Sequence, residues 1–257
     1  MAVVQKIAGG DKREITIGTK DYTEQVLLGN IYADLVEAHT DIKVKRQFNL
    51  GGTSVVFTAM RSGLVDMYVE YTGTAYVNVL SMPESNDADY VYNTVKDEYQ
   101  ERYDLSWLTP LGFNNTYTIA VRENTAKQYN LKTISDLAKV SSGMVLSPTI
   151  EFSSRPDGLE KLQSLYEMSF KGVSPMNGAL RYTAIQGDSS QVVDAFATDG
   201  LLKEFNLVVL EDDKHLFPPY YAAPVVRNDT LEKYPQLPAV LDLLGGKITY
   251  SVMIMPH

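Results

Sequence analysis

Between Glu14 and Val69 strand and helix signals alternate without a break, and this restricts the fold more than any other stretch of the chain. Glu14-Ile15-Thr16-Ile17-Gly18 reads as a short strand. Asp21 then stands as a helix cap, with Glu24 in the capping-box position. Val26, Leu27, Leu28, Ile31, Tyr32, Leu35 and Val36 follow at helical spacing. Residues 41–48 alternate apolar and charged side chains, as in a strand with one wet face. The Leu50-Gly51-Gly52-Thr53 turn opens a helix over Val55 to Arg61, and Val65 to Val69 supplies a third strand. Strand, helix, strand, helix, strand predicts an open α/β sheet. Ligands of such sheets sit beyond the carboxyl ends of the strands, so Lys20, Thr53, Tyr71 and Thr74 are rim candidates.

The pattern then repeats in a second unit. An acidic, tyrosine-rich stretch from Pro83 to Tyr103 holds a surface helix over Val91 to Tyr103, and Gly112 to Val121 offers a strand that carries the chain away. Helices are expected over Ile134–Val140, Leu159–Tyr166 and Asp188–Ala197, with strands at Met144–Leu146 and Leu207–Leu210. Pro218 to Val226 is apolar and extended, fit to return the chain to the first unit, and a helix over Leu237–Leu244 follows. The expected organisation is two α/β lobes joined by two crossings: residues 1–117 begin lobe I, 118–217 form lobe II, and 218–257 return to lobe I. A cleft between such lobes takes small ligands and closes by a hinge.

Composition narrows the function. With 257 residues, 44% hydrophobic and 21% charged, the chain has enough sequence for a buried core. A formal charge of −9 disfavours nucleic acid or an anionic membrane as main partner. No run of roughly 18 apolar residues is present, and residues 1–14 hold no apolar leader core. The absence of cysteine removes disulfides and thiolate sites, which suits an extracytoplasmic bacterial protein and many cytosolic ones. His39, His215 and His257 lie outside any zinc-binding frame, Glu211-Asp212-Asp213 lacks calcium-loop spacing, and Gly51-Gly52 is too short for a phosphate-binding fingerprint. No nucleophile elbow is found. The expectation is a protein without metal, cofactor or catalysis. Asp194 and Asp199, the acids nearest in sequence to an aromatic site candidate, are expected to organise a helix end and its loop.

Aromatic residues supply the positive signal. Phe217-Pro218-Pro219-Tyr220-Tyr221 holds rings on a stiff proline frame, and Tyr71, Tyr117 and Phe196 are candidate partners. Ring faces attract a quaternary ammonium, which has no N–H to donate. Taken singly, each ring fits a half-buried core or surface position better than a ligand wall, the proline stretch fits a rigid loop as well as a site, and Lys20 and Arg155 fit solvated charges.

In their order along the chain, Gly18-Thr19-Lys20-Asp21-Tyr22-Thr23-Glu24-Gln25, Tyr71-Thr72-Gly73, Gly112-Phe113-Asn114-Asn115-Thr116-Tyr117, Arg155-Pro156-Asp157-Gly158, Ala197-Thr198-Asp199-Gly200 and Phe217-Pro218-Pro219-Tyr220 resemble one family. It is the substrate-binding component of osmoprotectant ABC importers, which take glycine betaine, proline betaine, carnitine or choline. The resemblance implies a two-lobed periplasmic-binding-protein fold of α/β class with two hinge crossings and an inter-lobe ligand cleft. It implies an aromatic cage at Tyr71, Tyr117, Phe196 and Tyr220, and a ligand carboxylate held by Lys20, Thr74 and Arg155. It also implies an extracytoplasmic location and a membrane permease as partner. Two cations beside the site favour a zwitterionic betaine, since they repel choline and grip a carboxylate. A choline- or carnitine-type amine, or a ligand-sensing module of the same fold, is the alternative. Phe196 stands where many relatives carry tyrosine or tryptophan, and residues 249–257 depart from the family pattern, which normally continues further.

Overall fold

The computed structural model describes residues 13–253. The leader reading of residues 1–14 falls largely on residues 1–12, which, like the final residues 254–257, lie outside the described residues. Two five-stranded sheets organise the chain. The first takes β1 (Glu14–Gly18), β2 (Lys43–Gln47), β3 (Met67–Tyr71), β4 (Leu105–Trp107) and, from the far end of the sequence, β10 (Ala222–Arg227), in the order β2-β1-β3-β10-β4. The second takes β5 (Tyr117–Arg122), β6 (Val145–Leu146), β7 (Gly172–Val173), β8 (Val192–Phe196) and β9 (Leu207–Leu210), in the order β7-β6-β8-β5-β9. The chain thus leaves the first sheet after Trp107 and returns to it at Ala222.

Side chains alternate across the strands, and each sheet is covered on both faces. On β3, Met67, Val69 and Tyr71 join the core under α1 (Thr23–His39), where Leu28, Tyr32 and Val36 are buried. Tyr68 points the other way, into a core shared with Val56 and Met60 of α2 (Thr53–Arg61) and Val91, Val95 and Tyr99 of α3 (Ala88–Tyr103). On β5, Tyr117, Ile119 and Val121 face one core while Ala120 faces the other. The core under α1 continues through Leu111, Phe113 and Tyr117 into the second sheet's unit, so apolar packing runs through the hinge.

The two crossings are also bonded to each other. Leu111 N–H donates to Ala222 O at 2.8 Å, Asn115 N–H to Tyr220 O at 3.0 Å, and Tyr220 N–H to the Asn114 side chain at 2.7 Å. Asn114 and Tyr221 form an antiparallel bridge.

Three expectations need correction. Asp21 is exposed and does not cap α1: the cap position is Tyr22, with extended backbone and no side-chain cap bond. Glu24 is drawn instead into contacts with Tyr71, Asn115 and Thr198. Residues 188–197 do not form a helix. Val192-Val193-Asp194-Ala195-Phe196 is a strand paired with β5, and the helix lies earlier, over Leu180–Gln186. A β-branched run buried on both faces reads as a strand. Asp194 therefore sits mid-strand and not in a helix of its own, but it does organise a helix end: it accepts from Thr149 N–H at 2.7 Å and Thr149 Oγ1 at 3.0 Å, and Thr149 caps the helix Ile150–Ser154. Lastly, the helix expected to reach Leu244 ends at Leu241 and tightens into a 3₁₀ turn over Asp242–Leu244.

Candidate functional site

All seven residues singled out from the sequence line one narrow cleft, with a cavity volume of about 20 Å³: Tyr71, Tyr117, Phe196 and Tyr220 together with Lys20, Thr74 and Arg155. Local structure explains how they converge. Lys20 follows β1, Tyr71 ends β3, and Thr74 opens a π-helical turn over Thr74–Val79. Tyr117 begins β5, Phe196 ends β8, and Tyr220 lies in the returning crossing. Each stands at a strand end or in a connection, where an α/β sheet exposes its ligand-binding rim.

The rings form a continuous belt. Tyr117 lies 5.0 Å from Phe196 and 5.7 Å from Tyr220, centroid to centroid. Tyr22, which the sequence reading left out of the site, stacks on Phe196 at 5.0 Å and on Tyr71 at 6.5 Å. Tyr22 therefore bridges rings from the two sheets' units. Its signal was its position beside Lys20 just beyond β1. Burial raises the hydroxyl pKa values of Tyr71, Tyr117 and Tyr220 well above the ordinary tyrosine value, so these hydroxyls stay protonated.

The polar end is a web of buried pairs. Lys20 Nζ lies 2.6 Å from Glu70 Oε1 and 2.8 Å from Thr53 Oγ1. Glu70, fully buried, also accepts from Tyr71 N–H at 2.8 Å and Tyr68 Oη at 2.9 Å. Arg155 grips Asp157 with two parallel bonds, Nε to Oδ1 at 2.8 Å and Nη2 to Oδ2 at 2.7 Å, and Tyr220 Oη donates to the same carboxylate. Arg155 Nη1 reaches Thr74 Oγ1 at 3.1 Å. Two cations alone suggested a positive wall; the structure gives each a carboxylate of its own. Glu70 and Asp157 each follow or precede a site residue by one or two positions, yet as isolated acids they carried no pattern.

Those cations also lie over the rings. Arg155 Cζ is 4.9 Å from the Tyr117 centroid and 5.7 Å from that of Tyr220, and Lys20 Nζ is 5.2 Å from that of Tyr71. Positive charge at ring faces is what this site already accommodates.

Asn115 and Glu151 complete the lining, and neither was anticipated. Contacts cross the cleft at several places: Thr53 Oγ1 to Glu151 Oε1 at 2.6 Å, Arg155 to Thr74, and Thr198 to Glu24. A larger recess of about 470 Å³ is lined by Asn86, Asn114, Asp212, His215 and Phe217 among others. Its carboxylate, Asp212, is already engaged by Tyr166 Oη at 2.5 Å and Phe217 N–H at 3.0 Å, so it offers less to a charged ligand.

Comparison with known proteins agrees with this geometry. The model of the substrate binding domain of the ABC-type glycine betaine transport system matches residues 13–254. The carnitine transport binding protein OpuCC of Listeria monocytogenes is 36% identical over 249 residues, covering 96% of this chain and 81% of that protein. The ergothioneine transport permease/ergothioneine binding protein EgtU of Helicobacter pylori is 36% identical over 95% of this chain, which spans only 44% of that protein's length. A crystal structure described as a glycine betaine/carnitine/choline ABC transporter superposes with a TM-score of 0.74 at 31% identity, covering 93% of this chain and 89% of the other.

Proposed function

Since the chain belongs to the family of substrate-binding domains of ABC-type glycine betaine transport systems, we propose that it captures a small quaternary ammonium solute outside the cytoplasm and hands it to a membrane permease. The observation that carries this reading is the ring belt, with walls from both sheets' units meeting around one small cleft. Tyr71, Tyr117, Phe196 and Tyr220 are assigned as the cage for the methylated nitrogen, with Tyr22 as a fifth wall. Each ring contact contributes about 0.5–2 kcal/mol, more as the site dries. Several together supply much of the roughly 8 kcal/mol of a micromolar complex. Lobe boundaries at residues 117/118 and 217/218 belong to the same proposal, with closure about the two crossings. No helix among the described residues is long and apolar enough to cross a membrane.

For the acidic end of a betaine, Lys20, Thr74 and Arg155 are the assigned partners. Both cations line the cleft within ion pairs already made, so they orient a carboxylate without being stripped of charge balance. A cation without a carboxylate, such as choline, is the second reading. It is favoured by the pairing of both cations with Glu70 and Asp157.

Isothermal titration with glycine betaine, proline betaine, carnitine and choline tests the proposal. Saturable binding of at least one is expected; no saturation by any at millimolar ligand rejects it. Turnover of an added ligand would reject the transport reading in favour of an enzyme.

A further inference from the structure

Resting on the quaternary ammonium reading above, we propose that Glu151 sets the ligand specificity of the cleft: its carboxylate occupies the anion-binding corner, lowering affinity for zwitterionic betaines and admitting cations that bring no carboxylate.

Glu151 projects from the short helix Ile150–Ser154 and lines the cleft with its side chain 26% exposed. Everything around its carboxylate suits an anion. Thr53 Oγ1 donates to Oε1 at 2.6 Å, and Arg155 Nη1 lies 3.5 Å from the same oxygen. Lys20 shares the Thr53 hydroxyl at 2.8 Å. Gly52, at the start of α2, makes room: a Cβ there would stand 3.0 Å from Glu151 Oε2. Burial pushes the Glu151 carboxyl pKa up, but Lys20, Arg155 and the bonds from Thr53 outweigh it and hold the value below the usual glutamate range. The group is therefore an anion at neutral pH.

An incoming carboxylate assigned to Lys20, Thr74 and Arg155 must enter beside this charge. Like charges a few ångströms apart in a partly dry site repel strongly, whereas a ligand whose nitrogen sits in the ring cage and which brings no carboxylate meets no such repulsion.

The test compares glycine betaine and choline by titration on the wild-type chain, Glu151→Gln and Glu151→Asp. Glutamine keeps an acceptor for Thr53 and removes the charge; aspartate keeps the charge on a shorter arm. The expected result is that Glu151→Gln shifts the ratio of choline to glycine betaine dissociation constants by about tenfold or more toward betaine, while Glu151→Asp stays near the wild-type ratio. Equal changes for both ligands in Glu151→Gln would make Glu151 a clasp between lobes and overturn the assignment alone. A betaine shift of the same size in Glu151→Asp would trace the effect to shape and also overturn it. Saturation of no ligand by the wild-type chain, with thermal unfolding showing it folded, would overturn the underlying reading, and this proposal with it.

Discussion

At the scale of single residues, the cleft is distinguished by how little of its charge is unpaired. Arg155 is buried and its fork is filled by Asp157, so Arg155→Ala strands a carboxylate in the interior. Breaking such a pair costs about 3–5 kcal/mol. The expected outcome is a lower urea midpoint with an unchanged slope, and weaker binding that reports lost folding together with lost contact. Tyr220 separates the two effects better. Tyr220→Ala removes a wall and should weaken a quaternary ammonium by about 2–30-fold, the span of one ring contact. Tyr220→Phe keeps the ring but loses the bond to Asp157, so titration should find ligand affinity closer to the wild type while stability falls by about 1–3 kcal/mol.

Secondary elements bring these residues together through close backbone approaches. Gly73 follows β3 where the returning crossing passes over it: a Cβ there would lie 2.7 Å from Pro219 O and 2.7 Å from the Tyr220 ring. Gly73→Ala should therefore displace Tyr220, and loss of ligand affinity by titration should exceed any change in helix content by circular dichroism. Much of this level was legible beforehand. β1 and β2 fall where alternation placed them and β3 begins and ends two residues later, because an amphipathic period and glycine turns are local signals. The helix expected over 188–197 is a strand because Val192 to Phe196 owes its state to pairing with β5, a partner some seventy residues away that no local window contains. The site divides in the same way. The seven quoted residues were legible through the family resemblance of the ordered motifs that carry them, whereas Glu151, Asn115 and the acids at positions 70 and 157 take their meaning from partners that only folding brings near.

For the whole molecule, groups reach across the cleft, and Glu24 is one of them whose protonation bears on stability. Its carboxylate joins Tyr71, Asn115 and Thr198; burial raises its pKa from 4.5, opposed by those hydrogen bonds. A carboxyl raised on folding holds its proton more tightly folded than unfolded. Its contribution is therefore most favourable below the unfolded value and is lost as pH rises through the folded one. Glu24→Gln removes that term. Its stability relative to the wild type, measured by denaturant melts, should rise between the unfolded glutamate pKa and neutrality; a flat difference would assign the pH response elsewhere.

Tyr117 and Tyr220 stand at the ends of two crossings that are stitched to each other by backbone bonds. The walls of the cleft are thus also its axle. A guest lodged against them pushes on the pivot without any lever between, so the size of the guest should tune the swing angle directly, and bulkier methylated amines should leave the jaws measurably more ajar.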